Sequence, residues 1–267
     1  MLKKPLIPVE IDIIIISNAK NDNLYEETLK CIDSLYKSED HNKIQFNVFI
    51  VESNKEVTYD YNIFYNNNKG ENGHKIKTIY TDKEFGYHTY LNVGLEYASS
   101  EWSCLCNNDL VFNNGWATNI LTVIESQRQL DPIKFKYVSA SPCNPHETWH
   151  KENINSLQIG YGVRQQVAGW CLFQSSNIFD KIGKLDERIK FWFCDNWYAI
   201  VTQFKGVPHI FVGNSIVEHH NGLEGTTTKQ IDISVEDKHN LTYGAGDVFR
   251  EIIREYIGDN EWGKPTE

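Results

Sequence analysis

The stretch CLCNNDL at 104–110 sets three polar side chains, Asn107, Asn108 and Asp109, directly behind an apolar run. If that run is a strand, amide and carboxylate oxygens emerge at its carboxyl end. Oxygen ligands of this kind suit a hard divalent cation. The same triplet is also ordinary turn chemistry. A second pair, His219-His220, follows the strand-like Ser215–Glu218. Successive strand residues point to opposite faces, so one of the two reaches a given site. An imidazole converging with Asp109 would complete a cation site and suits Mn2+ better than Mg2+; the alternative is a surface or core histidine. The third feature is Asp195, set among Trp192, Phe193, Cys194 and Trp197. Apolar company raises a carboxyl pKa and prepares it for work as a general base. Its place before NWYAIV is equally that of a helix N-cap.

Alternating strands and helices must position these groups. Ile11–Ser17, Gln45–Glu52, Lys75–Tyr80 and Ser103–Cys106 read as strands, with helices over Tyr25–Lys37 and Tyr90–Ala98. This order predicts βαβ units and a mainly parallel α/β sheet flanked by helices. Ligands of such sheets bind at the carboxyl ends of the strands. Ser17, Glu52, Asp82 and Asn107–Asp109 all lie there, so one crevice can collect them. Farther on, Gln165–Gln174 and Val207–Val212 read as strands and Trp192–Phe204 as a helix. Thr58–Gly73 and Asn221–Lys229 are turn-rich and are candidate lids. Val248–Ile257 is amphipathic, with Phe249, Ile252, Ile253 and Tyr256 on one face. The simplest organisation is one domain over 1–230 and a C-terminal helical extension over 231–267, packed on it.

Charge and cysteine usage narrow the setting. Among 267 residues, 26 Lys and Arg face 36 Asp and Glu, a net charge of −10. That balance disfavours sequence-blind nucleic-acid coating and anionic-membrane binding. Six cysteines form no CxxC pair and no dense framework, as expected of reduced, buried thiols. Pro5, Pro8, Glu10 and Asp12 interrupt the apolar N-terminal run, so it reads as a strand and not as a signal peptide. No segment reaches the roughly 18–20 apolar residues of a membrane span. The expected location is cytoplasmic (host cytoplasm if the chain is viral).

The ordered set IIIISNAKN, VFIVESN, EFGYHTYLNVGLEYA, WSCLCNND, KIGKLDERIKFWFCD and VEHH resembles the family-2 glycosyltransferases of the GT-A fold. The likeness runs from about Ile11 to His220. It implies a nucleoside-diphosphate-sugar donor held by Ser17, Asn18, Glu52, Asp82, Gly86, Asn92, Asn107 and Asn108. It implies a divalent cation, Mn2+ or Mg2+, on Asp109 with His219 or His220, and Asn107 standing where the family has the first Asp of Asp-x-Asp. Gly169 and Trp170 fall in the segment that borders the acceptor, with Trp192 nearby. Asp195 matches the catalytic carboxylate, while Cys194 replaces the Glu of the usual Glu-Asp pair.

The reaction this implies is metal-dependent, inverting transfer of a hexosyl or pentosyl group to an acceptor hydroxyl, with Asp195 as general base. The acceptor is a glycan, or a hydroxylated base in DNA if Arg164, Lys181, Lys184, Arg188 and Lys190 form a phosphate-contacting patch; a solvated basic surface is the plainer reading. A non-catalytic nucleotide-sugar or glycan-binding protein on the same fold is the alternative, motivated by Asn107 and Cys194. A dinucleotide-dependent oxidoreductase is disfavoured, because SNAKNDN and not G-x-G-x-x-G follows the first strand.

Overall fold

Four consecutive isoleucines, Ile13–Ile16, are buried on both sides of one strand, as a parallel strand between two helical layers requires. A computed structural model describes residues 7–59, 75–219 and 235–258, with side chains omitted over 235–245. The first strand, β1 (Val9–Ser17), pairs in parallel with β2 (Ile44–Glu52) and β4 (Trp102–Cys106), and β2 pairs in parallel with β3 (Lys75–Tyr80). In register, Ser17 lies opposite Glu52, Glu52 opposite Tyr80, and Ile15 opposite Cys106. Four strand ends therefore share one edge.

Alternation along β1 feeds two cores. Ile11, Ile13 and Ile15 pack beneath helix α1 (Asp22–Lys37), whose buried face is Thr28, Cys31, Ile32, Leu35 and Tyr36. Ile14 and Ile16 face the other layer, built from α2 (Tyr87–Leu95) and later helices. Gly94 lets α2 approach closely, since a Cβ there would lie 2.4 Å from Ile14 Cγ2.

The second half adds β5 (Leu110–Phe112), α3 (Trp116–Leu130), β6 (Ser139–Cys143), α4 (Thr148–Glu152), β7 (Leu157–Ile159), β8 (Cys171–Ser175) and α5 (Phe179–Ile182). It ends in α6 (Cys194–Phe204), β9 (His209–His219) and α7 (Val235–Ile257). The sheet runs β3-β2-β1-β4-β8-β6-β9-β5, with β7 also on β9. β6 and β9 are parallel, while β8 runs antiparallel to both its neighbours and β5 and β7 antiparallel to β9. Phe249, Ile252 and Ile253 of α7 are buried in the core layer shared with α2 and α6.

One expected strand is corrected. Of Gln165–Gln174, only the part from Cys171 onward is strand. The Gln165 and Gln166 carbonyls accept hydrogen bonds from His150 and His209, and Ala168 N donates to Ser141 Oγ. Buried side chains thus satisfy the backbone that a ladder would have paired. The lid candidates at 60–73 and 221–229, His220 and the 230/231 boundary lie outside the described residues. Among the described residues no helix is long and apolar enough to cross a membrane. All six cysteines are free and buried.

Of the two acidic residues of β1, Glu10 is exposed and Asp12 is fully buried. It accepts bonds from Ser99 N (2.6 Å), Ser100 N (2.7 Å), Ser100 Oγ (2.7 Å) and Asn47 Nδ2 (2.9 Å). It thereby fixes the turn between α2 and β4. Asp12→Ala would strand these donors, and chemical denaturation should show a loss on the order of 3 kcal/mol. A loss below about 1 kcal/mol would contradict this role.

Candidate active site

The floor of the crevice is a chain of hydroxyls on a buried carboxylate. Glu52, fully buried at the end of β2, accepts from Ala19 N (3.1 Å), Asn54 N (2.7 Å) and Tyr59 OH (3.2 Å). Tyr59 OH also lies 3.0 Å from Ser17 Oγ, which is 3.3 Å from Thr28 Oγ1. Asn108 Nδ2 donates to Thr28 Oγ1 at 2.9 Å. Ser17, Glu52 and Asn108 are thus joined in one network, with the partly buried Asn18 beside it. Tyr59 and Thr28 carry no motif, and only an aromatic residue inside a polar segment hints at the former.

The other expected donor residues make contacts outside that network. Asp82 lies two residues past β3, exposed and ion-paired with Lys55, which holds its carboxyl below the usual range. Asn92 is buried on α2, and its amide donates to Leu185 O (2.8 Å) and Glu187 Oε1 (3.1 Å). Gly86 caps α2, where an added Cβ would meet Thr89 Oγ1 at 2.8 Å. Gly86 and Asn92 belong to the helix that grips the 185–190 loop, and Tyr87 N donates to Lys190 O within the same contact.

At the end of β9, His219 lies opposite Leu110 in the antiparallel ladder. This brings His219 Nε2 to 3.3 Å from Asp109 Oδ1, with both residues buried. Two cis ligands on an octahedral divalent cation stand about 3 Å apart, so the pair fits such an ion. Asn107 Oδ1 is buried with no hydrogen-bond partner among the described residues. Trp170, expected to face the acceptor, is 9% exposed and stacks on the His219 ring at 5.5 Å and 22°. Its carbonyl accepts from Asn107 N at 3.0 Å. Trp170 therefore positions both ends of the Asp109 turn. Asn144, fully buried, donates to His219 O (3.3 Å), and its own N–H is taken by His150 Nδ1 (2.9 Å). Neither Asn144 nor His150 has a sequence signal.

Asp195 is half-buried in the first turn of α6, and the N-cap position belongs to Phe193 instead. Burial pushes the Asp195 carboxyl above the ordinary range, against the opposing pull of Asn196 N–H and the Arg164 charge. Gly169 permits its approach, since a Cβ there would lie 2.7 Å from Asp195 Cβ. Tyr87 OH donates to Gly169 O at 2.7 Å. Trp192 is half-buried, edge-on to Phe191. Cys194 is buried and donates to Ile189 O at 3.6 Å. Of the basic cluster, Arg188 pairs with Asp186 and Glu255, Lys190 with Glu84, and Lys181 sits over the Tyr137 ring.

Residues 12–182, well over half of the chain, match Glycosyl transferase family 2. The chain belongs to that family. The chain is similar in fold to a mannosyltransferase, PcManGT from Pyrobaculum calidifontis, in complex with GDP-Man and Mn2+. The TM-score is 0.61 at 12% identity, over 94% of this chain and 66% of that one. It is also similar to S. aureus TarS 1–349 in complex with UDP-GlcNAc, with a TM-score of 0.53 at 12% identity over 89% and 65%. Against GalNAc-T7 with UDP, GalNAc and Mn2+ the TM-score is 0.56 at 11% identity, over 79% of this chain. The chain spans 44% of that chain's length. No curated protein matches the sequence. The family match ends before Asp195 and His219, which are set in place by α6 and β9.

The raised pKa of Asp195 has a signed consequence. Above the ordinary carboxylate range the folded state binds the extra proton, so stability falls as pH rises through the raised value. Asp195→Asn should raise the unfolding midpoint at neutral pH, and the gain should vanish as the pH falls towards the unperturbed carboxylate pKa. Equal midpoints for the two proteins at every pH would contradict the burial of a charged Asp195.

Proposed function

We propose that this glycosyltransferase is metal-dependent and inverting, and that it moves a sugar from a nucleoside-diphosphate sugar to an acceptor hydroxyl. One observation carries the reading: consecutive residues Gly169 and Trp170 touch the two chemical groups, Gly169 against Asp195 and Trp170 against His219. A carboxyl with raised proton affinity and a cation-ligating pair therefore share one wall. UDP-GlcNAc bound to one similar protein and GDP-Man with Mn2+ bound to another support the same reading.

Ser17, Asn18, Glu52 and Asn108 would line the nucleotide end of the donor. Asp109 and His219 would hold the cation, Mn2+ in preference to Mg2+ because one ligand is an imidazole. Such a cation, when bound, supplies Lewis-acid stabilisation of the charge that grows on the leaving diphosphate. Asp195 takes the acceptor hydroxyl proton as that oxygen bonds to the anomeric carbon, on the face opposite the departing diphosphate. The configuration inverts, and the proton resides on the Asp195 carboxyl. A glycan hydroxyl fits better than a base in DNA, because Arg188 and Lys190 already face acidic partners. Salt-insensitive acceptor binding would agree with that choice.

The non-catalytic alternative rests on Asn107, an amide where the family has a carboxylate, and on Cys194, whose buried thiol offers no second carboxylate. Nucleotide release from UDP-, GDP-, TDP- and CMP-sugars, with Mn2+ or Mg2+ and with EDTA, separates the two. Transfer should be lost with EDTA, and Asp195→Asn should lower kcat about 10²–10⁴-fold while donor binding persists. Wild-type transfer by Asp195→Asn would reject that base; donor binding without release for any acceptor would favour the binding protein.

The cation assignment has its own measurement. Mn2+ should raise the melting temperature of the wild type and of His220→Ala, and not that of Asp109→Asn or His219→Ala. An unchanged Mn2+ response in both of those last variants would place the ion elsewhere.

A further inference from the structure

Phe193 is one of three non-glycine residues with positive φ among the described residues, at φ 71°. It is the N-cap of α6, and no side chain caps that end. Its carbonyl accepts the first helical bond, from Trp197 N at 2.9 Å. The conformation of Phe193 therefore sets the direction of the turn that carries Asp195. A non-glycine residue in the left-handed region is strained and persists only where packing over-determines it.

The packing comes from the C-terminal helix. The Phe193 ring stacks on Phe249 of α7 at 5.0 Å and 17°, and Phe249 is 7% exposed. One turn earlier, Gly246 lies against the same ring; a Cβ there would stand in ordinary contact, 3.9 Å from Phe193 Cε2 and Cζ. Gly246 and Phe249 stand at helical i, i+3 spacing and form one seat. α7 is itself pinned to the loop before α6. Arg188 bridges Asp186 (2.6 Å) and Glu255 (2.8 Å), and Tyr256 OH donates to Asp186 Oδ2 at 3.3 Å. Tyr256 also meets Trp197 of α6 edge-on at 5.3 Å.

We propose that α7 is a positioning element for Asp195, acting through Phe249, which holds Phe193 in the left-handed conformation that aims the first turn of α6. The inference rests on the reading of Asp195 as the base. Phe249 touches no reacting atom, and it acts only through Phe193. Among the described residues, the other titratable or charged groups that act on Asp195 are Cys194 beside it, Tyr87 on α2 and Arg164 on the loop before Gly169. Phe249 is uncharged and meets Phe193 by ring stacking, so its substitution reaches Asp195 through that contact.

The test uses the full chain with Mn2+ and a nucleotide-sugar donor. Phe249→Ala should lower kcat about 10- to 100-fold with the donor KM unchanged. The acidic limb of its pH–rate profile should move to lower pH, because Asp195 becomes better solvated. Phe249→Leu should recover most of the rate. Phe193→Gly in the Phe249→Ala background should also recover it, since glycine adopts positive φ without strain. Loss of kcat with an unmoved pH limb, or no recovery by Phe193→Gly, would overturn the proposal. A carbon-13 titration of the Asp195 carboxyl reads the same displacement without turnover. If Asp195→Asn proves fully active, a lowered Asp195 pKa in Phe249→Ala still upholds the positioning, and an unmoved one rejects it.

Discussion

Two buried titratable groups, Asp109 and His219, meet at 3.3 Å, and much of the second half of the sheet keeps them there. Such a contact is tolerated inside a protein only when neighbours fix it and a partner of suitable charge is at hand. Leu110 opposite His219 sets the register. Trp170 covers the imidazole, and Asn144 takes the His219 carbonyl. β9 can serve all of these because its eleven residues pair with β6, β7 and β5 in turn.

The sheet divides the labour at β4. On one side the strands are parallel, and their aligned ends gather Ser17 and Glu52 into a rigid hydroxyl network. On the other side the antiparallel β8 turns the chain back, so that Gly169 and Trp170, just ahead of it, lie beside the end of β4. The two sides meet at the bond from Asn107 N to Trp170 O. A side chain altered at this junction disturbs both halves at once, and one altered at Tyr59 reaches the same turn through Ser17, Thr28 and Asn108.

The parallel half was readable because burial on both faces writes it into composition. Ile11–Ser17, QFNVFIVE and KIKTIY are continuous β-prone runs, and their observed limits differ from the expected ones by at most two residues. QQVAGW leads directly into the strand-forming CLFQ and is not itself a strand, because His150, His209 and Ser141 capture its backbone from afar. α3 carries Ala117, Ile120 and Ile124 at helical spacing, yet its long polar face dilutes the signal. At the site, Asp109 and Asp195 were legible from their local surroundings. The duty of Asn92 was not, since its partners Leu185 and Glu187 lie more than ninety residues along the chain.

The six free thiols give the fold a set of built-in reporters. Each is at most 5% exposed, and they are spread over α1 (Cys31), β4 (Cys104, Cys106), β6 (Cys143), β8 (Cys171) and α6 (Cys194). A small alkylating reagent reaches each one only when its own element opens. The order in which the cysteines react therefore ranks the layers by local unfolding. It separates loosening of the layer under α1, through Cys31, from loosening of the helix that carries Asp195, through Cys194.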